Sequence, residues 1–120
     1  MFFQDRYFKT MEAGVNATWL QQQIHTQNLA NYDTPNYKAK SVVFSEVLTR
    51  ARGADPNRGS ALSVRILDSQ GFTVRPDGNN VDSDEESLSL YKAYVHYSML
   101  LEKIRSEVNN YNYVVNNAPK

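Results

Sequence analysis

Two histidines, His25 and His96, and the acidic run Asp82-Ser83-Asp84-Glu85-Glu86 are the residues here whose types could do chemistry. Nucleophilic catalysis needs a base such as histidine beside a hydroxyl or thiol and a carboxylate. The chain has no cysteine, which excludes disulfides, thiolate chemistry and cysteine-ligated zinc. His25 lies in a Gln-rich polar stretch and His96 stands between Tyr94 and Tyr97, both in helix-patterned segments, so each reads as a packing or surface residue. A metal site made by the two would need the helices to align them, with no neighbouring carboxylate to complete it. Asp77, Asn79, Asp82 and Asp84 bring oxygen ligands close together, as a calcium loop does. A loop starting at Asp77, however, has Val81 at a ligand position and Asp82 where the turn glycine belongs. The acidic run is explained by helix capping: Ser83 with Glu86, or Asp82 with Glu85, has capping-box spacing, and carboxylates favour a helix N-terminus. No glycine-rich phosphate loop is present. The expectation is a protein without catalytic, cofactor or metal site and without a small-molecule substrate.

The elements around these residues are mostly helical in pattern. From about Asp5 to Asn31 there is no proline and a single glycine, Gly14. Phe8, Met11, Val15, Trp19, Leu20, Ile24 and Leu29 fall on one broad apolar face, interrupted by Gln21, Gln22 and Gln23. Periodicity alone does not separate a core-facing helix of a small bundle from a polymer-forming one. The C-terminal pattern is more regular: Leu90, Tyr94, Tyr97, Leu101, Ile104, Val108, Tyr111 and Val115 alternate steps of four and three, a heptad seam. Leu88, Tyr91, Val95, Met99, Leu100 and Val114 widen the stripe beyond what one partner helix covers, which implies more than one neighbour. Between the helices, Leu62, Val64 and Ile66 alternate with polar residues, Asp68 to Gly71 is turn-like, and Phe72 and Val74 resume the alternation, which predicts a short hairpin. Ser41 to Arg50 reads as a short helix with Val43, Phe44, Val47 and Leu48 on its apolar face, and Gly53 to Ser60 as an exposed loop.

With 120 residues the chain forms one small domain at most, and its core is modest unless partners enlarge it. Thirteen Lys and Arg balance thirteen Asp and Glu, so nothing draws the whole molecule to nucleic acid or an anionic membrane. Between Lys38 and Arg75 there is a local excess of four positive charges without aromatic interleaving, which suits a solvated or inter-subunit surface better than a nucleic-acid groove. The N-terminus lacks the basic start and apolar core of a secretory signal, and no run of about 18 apolar residues occurs.

The first helical pattern ends abruptly at Asn31-Tyr32-Asp33-Thr34-Pro35-Asn36-Tyr37-Lys38. Pro35 has no N–H and its ring clashes with the preceding helical turn, so the helix must stop before Thr34. Pro then Asn at the two central positions fits a type II turn, whose third residue needs positive φ. Asn28, Ala30 and Asn31, followed by Thr34, Pro35, Asn36 and Tyr37, closely resemble the signature after the N-terminal helix of bacterial flagellar rod, hook and hook-associated proteins. Asn36 replaces the usual glycine, a mild departure because both types accept positive φ. Arg75-Pro76-Asp77-Gly78-Asn79-Asn80-Val81-Asp82, then Glu85-Glu86, resembles the segment before the C-terminal helix of the proximal rod proteins of the flagellar basal body, the FlgB family. The resemblance covers essentially the whole chain and is weakest from Ser45 to Phe72.

This resemblance implies a mainly α fold. Long N- and C-terminal helices would pack as an antiparallel, coiled-coil-like pair, residues 1–34 and 80–120 forming one discontinuous helical core around a small irregular or β-hairpin middle segment, 35–79. It implies a structural subunit of the proximal rod, assembling into a tubular helical shaft that transmits torque across the periplasm and forms part of the export channel. Implied partners are copies of itself, other rod subunits, the inner-membrane ring, the junction protein at the rod base and the type III export apparatus, which exports the chain without a cleaved signal. Met11, Val15, Trp19, Leu20 and Ile24, with Leu90, Tyr94, Tyr97, Leu101, Ile104 and Val108, would supply helix packing in the shaft, and the 28–37 signature would turn the chain out of it. Two alternatives stay open: another flagellar rod subunit, or a stand-alone helical adaptor that binds a partner helix.

Overall fold

The computed structural model of the chain describes residues 6–47, 61–69, 71 and 75–119. Its elements are α1 (Arg6–Ala30), β1 (Lys40–Val47), β2 (Ala61–Asp68) and α2 (Ser83–Asn117). The molecule is long and thin, 71 × 38 × 14 Å. Its radius of gyration of 19.5 Å compares with about 14 Å for a compact chain of this length. None of the described helices is long and apolar enough to cross a membrane.

The two helices pack side by side and antiparallel: His25, near the end of α1, meets Glu86, near the start of α2, and Gly14 lies against Leu100 farther along. On α2 the row facing α1 is Leu90, Ala93, Tyr97, Leu100, Ile104 and Val108, with Ala93 buried and the others half-buried. On α1 it is Met11, Gly14, Ala17, Thr18 and Ile24. Small residues in this row let the backbones approach. Thr18 satisfies its hydroxyl by donating back to the carbonyls of Gly14 and Val15, at 3.1 and 3.0 Å. The helices differ in length: 25 and 35 residues span about 37 and 52 Å at 1.5 Å per residue. The helix therefore runs through the Asn-rich segment after Asn109, as far as Asn117.

Gly14 offers a direct test of the packing distance. A Cβ there would lie 3.3 Å from Leu100 Cδ1, tight but against the movable end of a side chain. Relative to glycine, alanine in a helix interior is favoured by about 0.5–1 kcal/mol. Gly14→Ala is expected to raise the thermal midpoint by a few degrees, whereas Gly14→Leu overpacks the seam and lowers stability by about 1–3 kcal/mol. Thermal unfolding followed by helical circular dichroism reads both.

The middle segment is a hairpin, but its first strand is not the predicted one. Residues 40–47, read in part as a helix from Ser41, form β1 and pair antiparallel with β2, Val42 opposite Ile66 and Phe44 opposite Val64. The correction has a physical basis. Val42, Val43 and Val47 are β-branched and Phe44 is aromatic, types that favour a strand, and in the hairpin Lys40, Val42 and Phe44 are half-buried while Ser41 and Val43 are exposed. The expected partner strand around Phe72 and Val74, the loop at Gly53 to Ser60, and Leu48 to Arg50 fall outside the described residues. Val42, Phe44, Val64 and Ile66 share one face of the hairpin, on which Val64 and Ile66 are exposed. The root of β1 leans on α1.

Candidate functional site: the asparagine clasp and the uncovered helix faces

The two segments that carry the family resemblance meet in space. Asn79, fully buried, donates its Nδ2 hydrogens toward the carbonyls of Asn31, Tyr32 and Thr34 at 2.8, 3.0 and 2.8 Å. Its Oδ1 accepts from the Val81 N–H at 2.8 Å. These carbonyls belong to the turn that follows α1, and one amide from far along the chain gathers all three. Asn28, also fully buried, accepts from the Lys40 N–H at 2.9 Å and from the Tyr37 hydroxyl at 3.0 Å, and donates to the Lys40 carbonyl at 2.7 Å. Asn80 accepts from the Ala39 N–H at 2.7 Å and donates to the Ser69 carbonyl at 3.1 Å. These three amides tie the end of α1, the hairpin root and the start of α2 into one clasp.

The turn at its centre has the positive φ expected at its third residue. Asn36 is at φ 59°, the Tyr37 N–H donates to the Thr34 carbonyl at 3.3 Å, and the Asn36 N–H donates to the Asp77 carbonyl at 2.8 Å. The Thr34 hydroxyl donates to Asn31 Oδ1 at 3.0 Å. Pro35 and Ala30 are exposed. Around the rim, the Arg75 guanidinium lies 4.3 Å from the Tyr32 ring centroid, donates to the Tyr32 carbonyl, and pairs with Asp77 at 3.3 Å. Lys38 donates to the Gly78 carbonyl.

Asp82 caps α2, accepting from the N–H groups of Asp84 and Glu85 at 3.0 and 3.2 Å. With Asp82 as the N-cap and Ser83 the first helical residue, the Ser83–Glu86 capping box does not form, and Glu86 instead lies 2.6 Å from His25 Nδ1 on α1. This corrects the reading of His25 as lacking a nearby carboxylate: the packing of the helices supplies one from 61 residues away. His96 is exposed, ten residues beyond Glu86 and so about 15 Å along the axis, and the helices do not bring the two histidines together. Among the described residues no three His, Asp or Glu side chains converge into a metal-binding group.

Tyr37 makes the clasp sensitive to alkali. Burial first, then the negative charges of Glu86 and Asp68, push its phenol above the usual value of 10.0. A folded-state pKa above the unfolded one means that the stabilisation is fully present below the unfolded value and is lost as pH rises through the folded value. Tyr37→Phe is expected to flatten the alkaline limb of a stability–pH profile, at a cost near neutrality of about 1 kcal/mol for the hydrogen bond to Asn28.

The residues expected to pack a shaft divide into two sets. Met11 and Ile24 are buried between the helices, and Val15, Leu20, Leu90, Tyr97, Ile104 and Val108 are half-buried. Trp19 on α1 is 51% exposed, and Tyr94 and Leu101 on α2 are 57% and 42% exposed. Ala93 and Leu100 take the intrachain contact one residue before Tyr94 and Leu101, leaving those two on the flank. Leu88, Tyr91 and Met99 are exposed on the side of α2 away from α1. Asn79, Asn80, Gly78 and Glu86 are marked in the sequence as part of the family-like segment or the helix cap, but their contacts with the end of α1 and the hairpin root are not foreseen there.

An elongated helical hairpin with a fixed corner and apolar flanks left uncovered belongs to the class of assembly subunits. No family model matches the sequence. The chain is similar to the flagellar basal body rod protein FlgB of Bacillus subtilis (strain 168), at 30% identity over 116 residues, covering 85% of this chain and 87% of that protein. It is likewise similar to FlgB of Borrelia hermsii, at 32% over 99 residues (67% and 73%), and of Escherichia coli (strain K12), at 26% over 122 residues (87% and 88%). The chain belongs to the FlgB family of flagellar basal body rod proteins.

Proposed function

We propose that the chain is a proximal rod subunit that packs with its own copies and with other rod subunits through the faces of α1 and α2 its own fold leaves open. One observation carries this reading: Tyr94 and Leu101 continue the heptad seam yet lie exposed beside it. An apolar patch of this kind on a folded surface marks a contact site. Heterologous contacts repeated around an axis build a helical shaft. In that reading residues 1–34 and 80–120 form the shaft core, 35–79 reaches to adjacent subunits, and the 28–37 turn directs the chain outward. The shaft would transmit torque across the periplasm and enclose the export channel. The subunit would meet the inner-membrane ring and the rod-base junction protein, after passage through the type III apparatus without a cleaved signal.

The test is a charge placed on the flank. Tyr94→Asp with Leu101→Asp should leave helical circular dichroism of the isolated chain nearly unchanged, since both side chains are exposed. It should abolish incorporation into isolated basal bodies and swimming in a strain lacking the native subunit. Normal incorporation would exclude these faces as the assembly surface. A dilute monomer with strong amide-exchange protection at both termini would point to a self-sufficient helical adaptor instead.

A further inference from the structure

We infer that Asn28 and Asn80 are positioning residues that set the direction in which the hairpin leaves the helix pair. The hairpin joins the helices through the turn after α1 and through the segment between Asp68 and Ser83. Covalent connection alone leaves such an element free to pivot. Each asparagine removes that freedom by presenting a carboxamide as a neighbouring strand would present a peptide group, one acceptor and one donor. Asn28, on α1, engages both the N–H and the carbonyl of Lys40, the first residue of β1. Asn80, just before α2, bridges the two strand roots, taking the Ala39 N–H and giving to the Ser69 carbonyl. The ladder is continued there by the Ser69 N–H donating to the Ala39 carbonyl at 2.7 Å. Ala39 is buried beneath this junction. Both strands are thus held at their roots, one amide from each helix side, while the distal hairpin carries exposed Val64 and Ile66.

On the rod reading, this fixes where the middle segment of one subunit meets its neighbours. The angle itself is a property of the isolated chain and is measured without any assembly. The absence of cysteine allows spin labels at Arg65→Cys on β2 and Ser98→Cys on α2, both exposed positions, with dipolar spectroscopy giving the distance distribution between them. The parent should give one narrow distance. Asn80→Ala should broaden it at least about twofold, because the root loses its anchoring hydrogen bonds while the helix pair stays folded. Asn80→Asp keeps the acceptor for Ala39 and loses the donor for Ser69, so its width should fall between the two, and Asn28→Asp should behave similarly with respect to Lys40. Helical circular dichroism on the same samples separates pivoting from unfolding. A broad distribution in the parent, or equal widths in the parent and all variants, would overturn the proposal. Failure of the charged-flank variants to affect rods would overturn the rod reading and leave this one standing.

Discussion

Asn79→Asp should destabilise the subunit more than Asn79→Ala, and both should rank among the most damaging single substitutions in the chain. Asn79 is 0% exposed, and its Nδ2 serves three carbonyls while its Oδ1 holds the Val81 N–H. Alanine leaves all four backbone groups without this partner. A buried unsatisfied group costs about 1–3 kcal/mol, a cost that falls on the Val81 N–H, whereas each carbonyl keeps a second donor, the Thr34 N–H on Asn31, Arg75 on Tyr32 and the Tyr37 N–H on Thr34. A net cost of about 2–4 kcal/mol follows, or about 10 °C in the thermal midpoint. Aspartate preserves the shape and the acceptor for Val81, yet it aims a carboxylate at three carbonyl oxygens in a buried site, where an uncompensated charge is disfavoured. Its pKa in the folded state must rise above the unfolded value. The penalty is therefore present at neutral pH and is relieved as pH falls through the folded value, when the carboxyl regains one donor. Thermal unfolding of both variants at pH 7 and in mild acid checks the sign: Asn79→Asp should gain on Asn79→Ala as the solution is acidified. If the two respond alike, the Nδ2 contacts do not carry the clasp.

The helices were legible because their signals are local. Pro35 dictates where α1 can no longer continue, the acidic run announces the start of α2, and the 90–115 periodicity needs no knowledge of the partner. The seam was displaced because periodicity identifies an apolar stripe without saying which edge of it the chain itself covers. Gly14 admits Leu100, and this choice is made by a small residue on the opposite helix. The clasp was half legible. Asn31 to Tyr37 could be read as a corner, but the partner of that corner lies more than 40 residues away, and nothing in a single sequence joins Asn79 to the carbonyls of Asn31 and Thr34. Glu86 shows the same limit: its spacing from Ser83 suited a cap, and a histidine on the other helix claimed it. For residues 41–47 the error was one of period, since Val43, Phe44 and Val47 satisfy a helical template as well as a strand, and pairing with β2 decides between them.

The corner residue that departs from the family pattern makes a second large effect predictable. Gly78 has φ 79°, a conformation that costs an L-residue about 1–2 kcal/mol. A Cβ there would also stand 2.5 Å from Asn36 Oδ1, closer than two such atoms can approach. Gly78→Ala is therefore expected to cost about 1–3 kcal/mol, mostly from the left-handed backbone, since Asn36 Oδ1 is the end of an exposed side chain that can turn aside. The second contribution depends on the side chain at position 36. In the Asn36→Gly background the Oδ1 is gone and the nearest remaining atom of residue 36 is its Cα at 3.5 Å, an ordinary contact. The same Gly78→Ala change should then cost about 1–2 kcal/mol, so the double-mutant cycle should show a favourable coupling of up to about 1 kcal/mol. Asn36→Gly alone should move stability little, since glycine relieves the φ 59° backbone and returns the gain as chain entropy. Denaturant melts of the four proteins measure the cycle, and additive costs would mean that the corner and Gly78 are independent. If the coupling appears, asparagine at position 36 makes glycine at 78 a stricter requirement than the backbone alone would set. The turn after α1 and the segment before α2 then behave as one element assembled from two distant stretches of chain.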